Sequence, residues 1–465
     1  MLKGFKSHPY IPNSEPNVEA EMLKELGLSS LEELHAEIPE EIKLKENMNL
    51  PPAFASEMEL KKHVATLLKE NANCEDNLNF LGGGCWQHYV PSICDEVNRR
   101  GEFMTAYGGE YYNDFGRFQS LFEYQSLVAE LIDMEVVSVP TMDWSQAAAT
   151  ALRMAGRMTG RKKLLVASTL DPQKFKIIKN YCEPVHVIEQ VAYDKKTGLL
   201  DLNDLKNKLD KDAGAIYFEN PSYLGFIETQ GEEISKLARD AGAEVVVGVD
   251  PISLGVLAPP VSYGATIVCG DLQPLGIHML YGGGQSGFIA SMDDPRYVFE
   301  FPSRLFGITS TIKPGEYAFG DVAYDRTSFS DLRHEAKEYV GTQTALWGIT
   351  AGVYLSLMGP HGMREVGETI MQNAAYAAKL LGEIPGVKAN LFGNSFFKEF
   401  IVNFDDTGKT VSEVNKALIE EGIFGGLDMS VCFPELGQSA LYCVTEVHSK
   451  EDLQRLAEAV RKIVK

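Results

Sequence analysis

Residues 244–291 read EVVVGVDPISLGVLAPPVSYGATIVCGDLQPLGIHMLYGGGQSGFIAS and set the pattern for the rest of the chain. They contain three short apolar runs, Val245–Val249, Thr266–Cys269 and Gly287–Ala290, each bounded by turn residues. Short runs rich in valine and isoleucine between turn residues are typical of buried β-strands. We therefore expect three strands here, with Asp250 directly at the end of the first.

The same pattern extends toward the N-terminus, where strand-like runs alternate with helical periodicity. The strand-like runs are Lys163–Ala167, Val185–Ile188 and Ala215–Phe218, and the helical segments are 121–133, 145–159, 202–209 and 232–241. Strands that alternate with helices indicate a parallel or mixed sheet that is covered on both faces. We predict one large α/β domain over residues 81–345.

The two ends of the chain have different patterns. A long helix over 342–357 leads to Gly359-Pro360, and the tail then reads helix, strand, helix, strand, strand, helix. We predict a linking helix and a small C-terminal α/β domain over residues 346–465. Residues 1–80 hold short helical pieces, at 29–34 and 56–70, separated by prolines, which predicts an N-terminal arm.

Composition and charge exclude several classes of protein. The chain has 465 residues, with 43 Lys and Arg against 65 Asp and Glu, so its net charge is -22. This balance argues against nucleic acid as a partner, because phosphate binding needs clustered cations. There is no apolar run of membrane-spanning length, no signal-peptide core, no CxxC pair and no histidine cluster at metal-ligand spacing. We expect a cytoplasmic protein with no metal site and no membrane contact.

A series of further short stretches is spread, in order, along nearly the whole chain. They are His8–Asn13, Glu37–Ile42, Phe80–Gly84, His88–Pro91, Thr105–Tyr107, Leu121–Gln125, Glu219–Gly225, Gln273–Ile277, Gly282–Gly284 and Val353–Pro360. Together they resemble the glycine-cleavage P-protein, specifically the alpha subunit of its two-subunit form. The resemblance implies a fold-type I pyridoxal-phosphate (PLP) transferase fold, similar to aminotransferases, with a small C-terminal α/β domain. It also implies glycine decarboxylation with aminomethyl transfer to a lipoyl carrier.

A PLP site of this fold needs a lysine for the Schiff base, a carboxylate for the pyridine nitrogen and backbone amides for the phosphate. Asp250 stands where the resemblance places the carboxylate, and by spacing to Gly282 the lysine position falls on Leu275. There is no lysine between Lys236 and Lys313. The resemblance therefore implies a pseudo-subunit without its own PLP lysine, in an α2β2 heterotetramer whose beta subunit carries the cofactor.

Asp250, Leu275 and His278 would then be remnants of a cofactor site. Two of them also have ordinary interpretations. Asp250 has the position of a common strand-end or turn aspartate, and His278 could be a buried core histidine.

Residues 105–116, TAYGGEYYNDFG, differ from the family's TAYTPYQPEISQG loop and are one residue shorter. One interpretation is a reshaped substrate cavity shared with the beta subunit, lined by Tyr107, Tyr111, Tyr112, Arg117 and His88. The other is a surface turn rich in glycine and tyrosine.

Two other regions depart from the family in ways that indicate a divergent paralogue. Trp144 stands where the family has glycine in a MYDGATA-like turn. A region that usually carries several arginines and a histidine keeps only Arg326, Arg333 and His334. These departures leave open a small amino substrate other than glycine.

We consider three functions. The leading one is the alpha subunit of a PLP-dependent decarboxylase resembling glycine dehydrogenase, inactive alone and with no catalytic residue assigned in this chain. The alternative is a noncatalytic scaffold or regulatory subunit of a PLP enzyme complex. The third is a homodimeric enzyme that uses the old cofactor cavity for another ligand.

Overall fold

The computed structural model describes residues 10–46, 48–103, 115–302, 305–322, 337–338 and 344–465. The chain divides into two units, residues 1–72 and 73–465. The helices are α1 (Pro16–Leu26), α2 (Glu57–Leu68), α3 (Ser92–Asn98), α4 (Phe115–Ile132), α5 (Trp144–Thr159), α6 (Pro172–Cys182), α7 (Leu202–Lys208), α8 (Gly231–Asp240), α9 (Pro295–Val298), α10 (Ala345–Gly382), α11 (Val411–Glu420) and α12 (Lys450–Val464). The strands are β1 (Leu78–Asn79), β2 (Val136–Val137), β3 (Lys163–Ala167), β4 (Val187–Val191), β5 (Ala213–Glu219), β6 (Glu244–Val249), β7 (Ile267–Asp271), β8 (Gly287–Ser291), β9 (Leu305–Ser310), β10 (Tyr317–Val322), β11 (Lys388–Ala389), β12 (Glu399–Asn403), β13 (Ile423–Phe424), β14 (Leu427–Asp428) and β15 (Ser439–Cys443).

The first unit contains α1 and α2. Glu15 caps α1 by accepting from the N–H groups of Asn17 and Val18, and Gly27, with φ +72°, ends it. Ser56 caps α2 through the N–H of Glu59. These caps are the expected signals for the start and end of a helix.

Seven strands form the central sheet of the second unit, in the order β2-β8-β7-β6-β5-β3-β4. Five neighbouring strands of this sheet are parallel, namely β4, β3, β5, β6 and β7. The other two, β8 and β2, run antiparallel to their neighbours. Along β5, Ile216 and Phe218 lie in one buried cluster and Ala215 and Tyr217 in another. This alternation shows that apolar side chains cover both faces of the strand.

A four-stranded antiparallel sheet, β11-β12-β15-β14, lies in the C-terminal part of the second unit. It packs with the second half of α10 and with α11 and α12 in a separate buried cluster that includes Phe400, Leu418 and Leu456. β1 pairs in parallel with β13, so residues 78–79 join this region of the chain. The described structure is therefore mixed α/β, and the predicted fold class is confirmed.

One strand prediction differs from the structure. β4 begins and ends later than predicted, because it is an edge strand whose bounds follow its pairing with β3, from Val187 to Val191. The helical piece predicted at 29–34 is a short 3-10 helix over residues 31–35. The helix end predicted at 357 corresponds to a kink at Gly359, where two helical segments of α10 meet. The domain boundaries at 80 and 345 remain predictions.

Candidate functional site

A cavity lies at the carboxyl ends of parallel strands β3, β5 and β6, the edge where open α/β sheets bind ligands. Asp171, Glu219 and Asp250, each at or shortly after the end of one of these strands, line it. Residues 397–399, where β12 of the smaller sheet begins, also line it. The free volume of this cavity that is accessible to a water-sized molecule is about 30 Å³. Pockets for cofactor-sized ligands have roughly 300–1,000 Å³, so this cavity is nearly full.

A buried ion pair crosses the cavity. The Lys398 ammonium lies 2.7 Å from Asp250 Oδ2, and the two side chains are 3% and 6% exposed. The contact is a close ion pair whose angles fall outside those of a hydrogen bond. The same ammonium lies 3.5 Å from the ring centroid of Trp86, a cation–π contact. Because both charges are out of water, removing either one costs roughly 3–5 kcal/mol.

His88 and Glu446 extend this pair into a chain of four side chains. Lys398 Nζ lies 3.1 Å from His88 Nε2, and His88 Nδ1 lies 2.8 Å from Glu446 Oε2. An ammonium can only donate, so Nε2 accepts and Nδ1–H donates to the Glu446 carboxylate. Burial alone would raise the pKa of Glu446, but His88 and the Tyr89 amide outweigh burial and lower that pKa to about 2.

A second lysine and a second tryptophan fill the other side of the cavity. Lys174 Nζ lies 3.4 Å from the ring centroid of Trp144 and pairs with the buried Glu219, which also accepts from Tyr217 Oη at 2.9 Å. Trp144 is the first residue of α5, and Asp143 caps that helix by accepting from the Gln146 N–H at 2.7 Å. The space is thus occupied by the chain's own aromatic and charged groups.

Two further carboxyl groups near this edge have raised pKa values. Burial raises the pKa of Asp271, at the end of β7, to about 7, although its carboxylate accepts from the Gln273 N–H at 2.7 Å. Burial also raises the pKa of Glu399, while Lys398 and the Gly83 amide oppose that rise. Across the residues that the structure describes, no group of three or more His, Cys, Asp or Glu side chains is arranged to hold a metal ion.

The chain matches the family model of the glycine cleavage system P-protein over residues 8–460. It belongs to the P-protein family. It is 38% identical to the probable glycine dehydrogenase (decarboxylating) subunit 1 of Staphylothermus marinus, over 98% of both chains. It is 37% identical to the protein of the same name from Aeropyrum pernix, over 98% of this chain and 99% of that one.

Solved structures agree with this assignment. The inhibitor-bound crystal structure of glycine decarboxylase (P-protein) superposes with a TM-score of 0.85 at 32% identity, covering 99% of this chain and 100% of that chain. A Burkholderia pseudomallei sphingosine-1-phosphate lyase shares the fold, with a TM-score of 0.66 at 14% identity over 90% and 93% of the two chains. The predicted P-protein family is confirmed, as is the prediction that the chain is part of an enzyme.

The structure places the predicted site residues of this P-protein chain in different environments. Asp250 and His88 come together, both in contact with Lys398. Leu275 is fully buried in the apolar core. Arg117 is buried in the first turn of α4 and is not among the residues that line the cavity. Tyr107, Tyr111 and Tyr112 lie outside the described residues, as do Arg326, Arg333 and His334.

Two interpretations need correction. His278 is not a buried histidine, because its side chain is 54% exposed and pairs with Asp95 of α3 at 3.0 Å. His88 does not present a free ring to a substrate cavity, because its side chain is 1% exposed and both nitrogens are engaged.

Sequence reasoning missed Lys398 and Lys174 altogether. Each is a single lysine in an ordinary context, Lys398 directly before a buried strand and Lys174 in the first turn of α6. No local pattern separates them from solvated lysines, because their carboxylate partners lie in other elements. Trp144 did give a signal, since it stands where glycine is expected.

Because no apolar run of the sequence is long enough, we expect no membrane-spanning helix. Among the described residues, none of the helices combines the length and the apolar character that crossing a bilayer would require.

Proposed function

We propose that this chain is the subunit of a two-subunit, PLP-dependent glycine decarboxylase that does not carry the cofactor itself. A lysine of a beta subunit holds PLP in an α2β2 complex, and this chain forms part of the wall of the shared substrate cavity. The substrate is glycine, with aminomethyl transfer to a lipoyl carrier protein, or a related small amino compound. The names of the relatives, which designate a subunit 1, support a partner subunit.

The observation that carries the proposal is the state of the cavity at the sheet edge. PLP is the cofactor that the fold family implies, and the residues present do not fit it. Asp250 already has a cation, Leu275 is apolar and buried, and about 30 Å³ is left free. We therefore assign this chain no chemical step that involves PLP.

The contribution of this chain to the shared cavity is assigned to Tyr107, Tyr111 and Tyr112. Phenol groups can orient a small amino acid by hydrogen bonds to its carboxylate or amine. Arg117 follows this loop closely in sequence, but it is buried in the first turn of α4, so we assign it no contact with the substrate. These assignments are part of the proposal.

The test is to express this chain alone and together with a lysine-bearing P-protein-like partner from the same genome. With added PLP, we expect the two chains to co-elute and only the complex to show the visible absorption of a protein-bound Schiff base. Absorption of that kind from this chain alone, or no association, would contradict the proposal.

A noncatalytic scaffold is the second candidate, and the filled cavity supports it equally. The two differ in what the 105–116 loop does. Loop variants that change assembly while leaving turnover unchanged would favour the scaffold. A homodimeric enzyme with another ligand in the old cavity is disfavoured by the small free volume.

A further inference from the structure

We infer that this chain has filled its former cofactor site with its own side chains, with the Lys398 ammonium in place of a protonated pyridine nitrogen on Asp250 and Trp144 in the space for the ring. This goes beyond the proposed function, which requires only that the Schiff-base lysine be supplied by the partner. It means that restoring that lysine alone would not restore cofactor binding.

Charge is the first observation. Asp250 directly follows β6, its carboxylate is almost fully buried, and such a group needs a cation close by. Lys398 supplies it from a different sheet, at the start of β12. A ligand with a protonated pyridine nitrogen would have to displace this ammonium, because two cations cannot share one buried carboxylate without strong repulsion.

Space is the second observation. The Trp144 indole lies against β6, where a Cβ on Gly248 would come within 2.9 Å of the ring and 2.5 Å of Tyr217 Oη. The Lys174 ammonium lies over the same indole. With Trp86 also in the lining, only about 30 Å³ of free volume remains in this cavity.

The helix beside the cavity gives the third observation. A phosphate group in an α/β fold is commonly bound by free N–H groups at a helix N-terminus. At the N-terminus of α5, a 16-residue helix, the chain's own Asp143 carboxylate accepts from the Gln146 N–H, and Trp144 fills the adjacent space. Each part of a cofactor thus has a substitute from the chain itself.

As a consequence, the contacts between the smaller sheet and the central sheet form without a bound ligand. The side chains of Glu446, His88, Lys398 and Asp250 form one continuous buried chain of contacts that joins the smaller sheet to the central sheet. In this account Lys398 is a positioning residue that holds the two sheets together, and it does not touch substrate.

The first experiment compares two lysines that form ion pairs with the same N–O distance, Lys398 in a buried pair and Lys388 in an exposed pair. Lys388 lies 2.7 Å from Asp406, and both of those side chains are 59% exposed. In thermal unfolding of the full chain, Lys398→Met should lower Tm by several degrees, whereas Lys388→Met should change it by about 1 °C or less. The double variant Lys398→Met/Asp250→Asn should recover most of the loss, because it leaves no unpaired charge. If Lys398→Met is insoluble and the added Asp250→Asn change restores solubility, that outcome supports the inference in the same way.

The second experiment asks whether the Lys398 position accepts a cation from solution. Lys398→Ala removes the part of the side chain that n-propylammonium reproduces. Added n-propylammonium should raise the Tm of Lys398→Ala but not that of Lys398→Ala/Asp250→Asn or of the unaltered chain. Equal shifts in all three would overturn the inference.

The third experiment uses pyridoxamine 5′-phosphate, which has the ring and phosphate of the cofactor but no aldehyde to react with surface lysines. The unaltered chain should show no change in Tm and no heat of binding with it. Binding to the unaltered chain, or a Tm for Lys398→Met equal to that of Lys388→Met, would overturn the inference. Either result would leave the buried, apolar Leu275 at the lysine position, and with it the proposal that the partner subunit holds the Schiff base.

Discussion

The large side chain of Trp144 lies next to Gly248, which has no side chain, at the carboxyl end of β6 in the central sheet. Trp144 stands where the resemblance predicts glycine, and Gly248 provides the space that the indole needs. The sequence pointed to Trp144, because a bulky residue in a glycine-containing turn is unusual. It could not point to Lys398, whose partner Asp250 is on another sheet far along the chain.

Gly248→Ala should destabilise the chain. A Cβ at this position would lie 2.5 Å from Tyr217 Oη and 2.9 Å from the Trp144 ring, and both are fixed by their own contacts. We expect a loss of about 1–3 kcal/mol in the free energy of unfolding, measured with urea. Gly320→Ala is the matched control, since a Cβ in that strand would meet open space. Equal stability of the two variants would show that the indole does not lie against β6.

Asp271 should lower the free energy of unfolding as the pH rises, which is the opposite of what an ion-paired carboxylate does. Its native pKa of about 7 lies above its unfolded value near 4, so between these values the native state holds more protons. Stability contributed by this group therefore falls as pH rises from about 4 to 7 and then stays constant.

The Asp271→Asn variant tests this directly. Asparagine keeps an oxygen that can accept from Gln273 but has no charge to bury. Relative to the unaltered chain, its free energy of unfolding should rise by a few kcal/mol between pH 5 and pH 8. A stability difference between the two proteins that does not change with pH would contradict the raised pKa.

The strands of the central sheet and the helices between them were predictable from the sequence, because turn residues bound each buried apolar run. The Gly359-Pro360 pair predicts a helix end near 357, and the structure has a kink there between two segments of α10. Gly359 has φ +56° and ψ −176°, a backbone conformation that is nearly exclusive to glycine. It allows a kink after which Pro360, which has no N–H to leave unpaired, starts the second half of the helix.

Gly359→Ala should therefore strain the kink of α10. The expected cost is about 1–3 kcal/mol of unfolding free energy, measured by denaturant titration. Gly382, at the C-terminal end of the same helix, has an ordinary backbone and room for a methyl group, so Gly382→Ala should be neutral or slightly stabilising. Indistinguishable effects of the two changes would mean that position 359 does not require glycine.

At the scale of the whole molecule, the sequence predicted the family and the fold class, because the resembling stretches run along nearly the entire chain. It did not predict how the cavity is filled, because that depends on contacts between two sheets. The substrate depends on the loop at residues 105–116, which lies largely outside the described residues.

The loop can be tested by kinetics of the complex with its partner. Tyr111→Phe and Tyr112→Phe should each lower kcat/KM by roughly tenfold, the loss expected for one hydrogen bond, without changing co-elution of the subunits. Tyr89→Phe is the control, because Tyr89 is exposed and outside the loop. Unchanged kinetics in both loop variants would remove the tyrosines from the shared cavity.

The location of the Schiff base distinguishes a cofactor held by the partner subunit from one held by this chain. The complex would be reduced with borohydride in the presence of PLP and digested, and the peptide that carries the pyridoxyl group identified by mass spectrometry. We expect the label at one lysine of the partner subunit and none in stoichiometric amount on this chain. A stoichiometric label on a lysine of this chain would contradict the proposed function.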